Sequence, residues 1–183
     1  MEILSKLWVA ITTENESIIN ILLILFLFIE IPLTMELFLS VLKIKTTVRQ
    51  KHIYLALTIP IGVFCVFFIP KPYSNIITMA STPFIIMAVF KTTFFKSIFA
   101  EFLPIICITV FEIIIGRFFL IFFKLTYESC ASIPIFRLII NSTIYLILFI
   151  FCLIVKRKHL HITLFDNINK HNKLCLLYTS PSP

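Results

Sequence analysis

Glycine occurs only twice in 183 residues, at positions 62 and 116, and both copies lie inside apolar runs. Loops that cradle a nucleotide phosphate need glycine where backbone meets ligand in water, so phosphate-loop chemistry is excluded from this stretch of chain. Charge is scarce too. Asp, Glu, Lys and Arg make up 14% of the residues, against about 25% in soluble domains. The five cysteines, Cys65, Cys107, Cys130, Cys152 and Cys175, form no C-x-x-C pair, which argues against a disulfide framework or a metal cage. There is no G-x-S-x-G, and no histidine falls within an apolar run, so nucleophilic catalysis finds no support. The N-terminus lacks a basic region followed directly by an apolar core and a cleavage site, and no removable signal peptide is expected.

What is abundant is apolar surface. Hydrophobic residues make up 60% of the chain, 21 of them phenylalanine, and no water-soluble fold could cover that much. The expectation is an all-α, polytopic membrane protein with five transmembrane helices and no cofactor or metal site in this stretch. The formal charge of +7 resides mainly in short basic clusters between apolar runs. Topology and anionic lipid account for these, and nucleic acid is not expected as a partner.

Periodicity and breakers divide the chain as follows. Residues 1–17 form an external amphipathic segment, with Trp8 as interfacial anchor and a capping-box pattern from Thr13 to Glu16. The five spans run over 18–42, 53–69, 73–90, 96–124 and 135–155, and the membrane domain covers 18–158. Residues 159–174 are expected on the inner surface as a juxtamembrane segment. His159 and His161 are better read as part of its basic character than as a metal pair. Lys43, Lys45, Arg49, Lys51, Lys91, Lys96, Lys156, Arg157 and Lys158 gather on one side, nine against the three of Lys6, Lys71 and Lys124. By the positive-inside rule the N-terminus is expected outside and the end of the fifth span in the cytoplasm.

Seven polar residues interrupt the spans and are the candidate polar core: Glu30, Glu36, Glu101, Glu112, Arg117, Arg137 and Asn141. Charge near the bilayer centre costs at least ~2.5 kcal/mol, so these groups should face protein or a wet cavity. Glu101 and Glu112 are 11 positions apart, three turns within ~20° on one helix face. Gly116, one turn beyond Glu112, is expected to admit another backbone to that face. Two readings stand side by side. In one, the core senses a ligand entering from outside; in the other, the arginines snorkel to the outer interface and the acids sit neutral in helix contacts. Pro32, Pro60, Pro83 and Pro104 are candidate pivots, because proline removes a helical hydrogen bond.

An ordered set of short stretches then carries a resemblance: VLKIK at the end of the first span, IPKPY, FKTTFFKSIFAEFLP, FEIIIGRFF, YESC, IPIFRL and KRKH. Together, over residues 18–173, they resemble the N-terminal sensor region of clostridial membrane histidine kinases, the GHKL-type relatives of the accessory-gene-regulator peptide receptors. The resemblance implies residence in a bacterial plasma membrane, an extracellular and commonly peptide signal, a homodimer, and a downstream kinase domain using ATP and Mg. No phosphoacceptor histidine or nucleotide box lies within the 183 residues, so no catalytic residue is assigned. A transporter component is the competing expectation from the intramembrane acids and prolines. Residues 175–183 change character and resemble a translated sequencing-adapter tail, which places the end of native sequence near Lys173.

Overall fold

A computed structural model describes residues 11–13, 16–70, 73–124 and 132–158. Five helices cross the molecule in alternating directions: α1 (Glu16–Val41), α2 (Val48–Phe68), α3 (Tyr73–Phe90), α4 (Phe94–Phe123) and α5 (Pro134–Arg157). No strand occurs among the described residues. All five are long and apolar enough to cross a membrane, and the all-α, five-span membrane architecture stands. Each helix packs on its neighbours in sequence, and α1 also packs against α5 and α4. The bundle is therefore a ring closed between its first and last helices.

Hydrophobicity cannot by itself join these helices, since lipid is as apolar as leucine; packing and hydrogen bonds do so. The tightest packing lies toward the basic end. There Phe38 of α1, Tyr54 of α2 and Phe90 of α3, all buried, meet with ring centroids 5.4–5.9 Å apart, beside Met35, Leu42, Ile86 and Ala100. A second cluster joins Leu37 and Val41 of α1 to Leu148, Cys152 and Val155 of α5. Ile115 of α4 with Ile140 and Ile144 of α5 forms a third, nearer the opposite end. Many phenylalanines, among them Phe64, Phe67, Phe95, Phe118 and Phe122, are exposed on the outside of the ring, where lipid would cover them.

One boundary differs from the sequence reading in a way that matters. α2 begins at Val48, five residues before the expected start at 53, because Thr47 and Gln50 close a capping box there. Thr47 N–H donates to Gln50 Oε1 at 2.9 Å, and Gln50 N–H donates to Thr47 Oγ1 at 3.3 Å. His52 thus lies inside a span, contrary to expectation, in the helix's second turn, with its ring Nδ1 2.9 Å from the Val48 carbonyl. The N-terminal segment to residue 10, the Glu14 and Asn15 of the proposed first cap, His159, His161, Cys130, Cys175 and the whole of 159–183 lie outside the described residues.

Glycine shortage shows in how helices end. Lys43, Lys91 and Lys124, just past α1, α3 and α4, take left-handed backbone with φ of 47°, 53° and 52°, a conformation that glycine normally supplies. After α1 the Ile44 N–H donates to the Leu39 carbonyl at 3.1 Å. Ile44 also packs on the core, completing a Schellman-type stop with lysine in the glycine position.

Candidate functional site

The seven polar positions separate into two groups. Glu36 stands at the basic end of α1, where Lys51 of α2 and Lys156 of α5 bind its two carboxylate oxygens, the latter at 2.5 Å. One side chain therefore ties three helices together beside the basic loops. Gln50 Nε2 adds a fourth by donating to the Val89 carbonyl at the end of α3, 2.9 Å away. The Thr92 and Ser97 hydroxyls, 2.7 Å apart, brace the turn into α4.

Away from that end the ring encloses a cavity of about 520 Å³ whose wall includes residues from all five helices. Such a volume falls within the range of small-molecule sites. Phe38, Tyr54 and Ala100 lie at its basic-end limit, and the aromatic trio closes the bundle there. In the opposite direction the wall reaches Val66 in the last turn of α2, Ser74 and Asn75 in the first turn of α3, and Arg137 in the first turn of α5.

Glu30, Glu101, Glu112 and Arg137 all line this cavity. Tyr145 Oη of α5 donates to Glu30 Oε2 at 2.6 Å, and its ring lies 5.5 Å from that of Phe26. The side chains of Glu101, Glu112 and Arg137 make no hydrogen bond or ion pair among the described residues. Glu30 lies within electrostatic range of both Glu101 and Glu112. The hydroxyls of Thr34, Thr58, Thr78, Thr82 and Ser74 share the wall. Most bond to carbonyls one turn back, as Thr82 does to Thr78 O at 2.8 Å, and the buried Thr58 hydroxyl has the Tyr54 side chain beside it, one turn back.

The remaining candidates fall elsewhere. Arg117 is exposed and outside the wall, and Asn141 is half-buried, also outside it. Gly116 corrects an expectation. No atom lies within 4 Å of where its Cβ would stand, whereas Gly62 faces Leu27 at 3.4 Å, so the close helix approach belongs to α1 and α2. All four prolines lie within helices that continue through them. Tyr145 and Thr58 were missed by sequence reasoning. Tyr145 carried one signal, being the sole tyrosine in the fifth span, where a buried hydroxyl needs a partner.

No group of three or more potential metal ligands occurs among the described residues. No protein-family model, curated protein or solved structure matches the chain. What the geometry defines is the class: a five-helix membrane protein with an acidic internal cavity limited at its basic end.

Proposed function

We propose that this chain is the membrane sensor domain of a bacterial two-component histidine kinase. In this reading an extracellular ligand enters the cavity, and the helix ends at the basic side relay its presence to a cytoplasmic GHKL kinase domain elsewhere in the complete protein. The observation that carries it is the division of polar groups along the bundle. Unpaired Glu112 and Arg137 line the cavity away from the basic end, while Glu36 joins α1, α2 and α5 near the cytoplasmic exit of α5. A ligand shifts a receptor only if it binds two arrangements differently. Here, moving α1 against α5 would alter both the Tyr145–Glu30 bond and the Lys156–Glu36 pair. The short sequence stretches over 18–173 supply the kinase identity, the homodimer and the signal class, and the helical packing is compatible with them.

The competing reading is a transporter component, because carboxylates along a transmembrane cavity would also suit cation passage. Sequencing the genomic locus past Lys173 separates the two. Asparagine and glycine boxes of an ATP-binding domain support the sensor, and further transport spans with no such boxes contradict it.

A further inference from the structure

We infer that Arg49 and Lys91 hold the headgroup of an anionic phospholipid across the basic ends of α2 and α3, with an acyl chain lying along the outward face of α2. This goes beyond the sensor reading and does not rest on it.

Charge sets the sign of the partner. Nine lysines and arginines gather at the basic end, and Glu36 engages two of them, Lys51 and Lys156. The other seven, Arg49 and Lys91 included, make no ion pair among the described residues. Clustered cations beside a membrane span draw the acidic lipids of the leaflet they stand in.

The packing of α2 on α3 makes one particular place for a headgroup. Gln50 Nε2 donates to the Val89 carbonyl at 2.9 Å, so Arg49, next to Gln50, and Lys91, two residues past Val89, stand at the same corner of the bundle. Both are exposed. A phosphodiester carries two free oxygens and can accept from a guanidinium and an ammonium at once. Lys91 follows α3 in left-handed backbone with φ of 53°, where glycine would suit the chain better. Its charge can therefore be removed without loss of fold.

Apolar neighbours favour a lipid over a water-borne anion. Ile53, Leu57 and Phe64 follow Arg49 at intervals of 4, 8 and 15 residues, within about 80° on one face of α2, and all three are exposed. Phe94 and Phe95, also exposed, open α4 just beyond Lys91. Arg49 thus heads a strip that an acyl chain would cover. An acidic protein segment arriving along the bundle axis would meet the basic loops and leave that strip untouched.

The test is native mass spectrometry of the full chain released from neutral detergent, with phosphatidylglycerol or phosphatidylcholine of matched acyl chains. One phosphatidylglycerol per chain should bind at least ten-fold tighter than phosphatidylcholine. Arg49→Gln combined with Lys91→Gly should cut that preference below about three-fold without lowering the melting temperature, because the glycine relieves the left-handed backbone. Lys124→Gln, at the opposite end, should leave the preference unchanged. Equal binding of the two lipids, a preference that survives the double variant, or an equal loss in Lys124→Gln would overturn the proposal. Poly-glutamate bound by a chain that shows no lipid preference would also overturn it, and would assign the surface to an acidic protein. On the unaltered chain, whether or not the double variant assembles, a preference unmoved by a ten-fold rise in salt would overturn it as well.

Discussion

The Tyr145 hydroxyl donates to the Glu30 carboxylate at 2.6 Å, joining the fifth span to the first across 115 positions of sequence. Such a bond fixes how the two helices are rotated against each other, because a hydrogen bond between spans is directional where apolar packing is not. Tyr145→Phe should therefore lower stability in detergent by about 1 to 2 kcal/mol, leaving the acid without its donor. Glu30→Gln, which still accepts, should cost less. A thermal-melt double-mutant cycle checks this, and additive effects would remove the bond from the account.

The Glu36 junction calls for a smaller expectation. Its side chain is 27% exposed, with Lys51 at 32% and Lys156 at 45%, so solvent screens both pairs. Each should contribute no more than about 0.2 to 1 kcal/mol. Lys51→Met and Lys156→Met should each destabilise within that range. Glu36→Gln, which weakens both pairs, should approach their sum. A Glu36→Gln melt indistinguishable from the unaltered chain would show that the three helices are held by packing alone.

Glycine scarcity gives a third prediction. Lys43→Gly and Lys91→Gly relieve left-handed lysines and should each stabilise by up to about 1 kcal/mol. Gly116→Ala should also be neutral or stabilising, since open space surrounds it. Gly62→Leu should do the reverse by pushing Leu27 and α1 away. Urea or thermal denaturation in one detergent ranks all four, and a destabilised Gly116→Ala would restore a close helix contact at that glycine.

Much of this was legible beforehand, for identifiable reasons. Long apolar runs bounded by lysine and proline declare membrane helices, so five spans could be counted. The start of α2 was misplaced because Arg49, Lys51 and His52 read as loop, when Thr47 and Gln50 cap a helix whose first turns belong at a charged interface. The T-x-x-Q pattern from Thr47 to Gln50 is the sequence signal for this start. Among the acids, spacing alone put Glu101 and Glu112 on one face, and the cavity shows that face to be a wall. That Glu36 is a junction while Glu30 lines the cavity could not be read from sequence. Both interrupt the same span, and only the placement of α2 and α5 separates them.

Orientation is a separate expectation resting on basic-residue asymmetry. A reporter fused after Lys158 should be active only as a cytoplasmic fusion, and one inserted at 125–131 only as an external fusion. The opposite pattern would turn the cavity mouth toward the cell interior and exclude an extracellular ligand.

The central claim is a cavity that opens away from the basic end and is closed toward it, and cysteine accessibility tests it most directly. In a chain whose native cysteines are replaced by serine, Asn75→Cys at the far rim and Thr78→Cys one turn deeper both line the wall, while Ala100→Cys lies beside the aromatic floor. A membrane-impermeant thiol reagent should modify positions 75 and 78 in sealed vesicles only when applied to the side opposite the basic loops, and should leave position 100 largely unmodified from either side. Modification of position 100 from the basic side, or protection of 75 and 78 from both, would contradict the account.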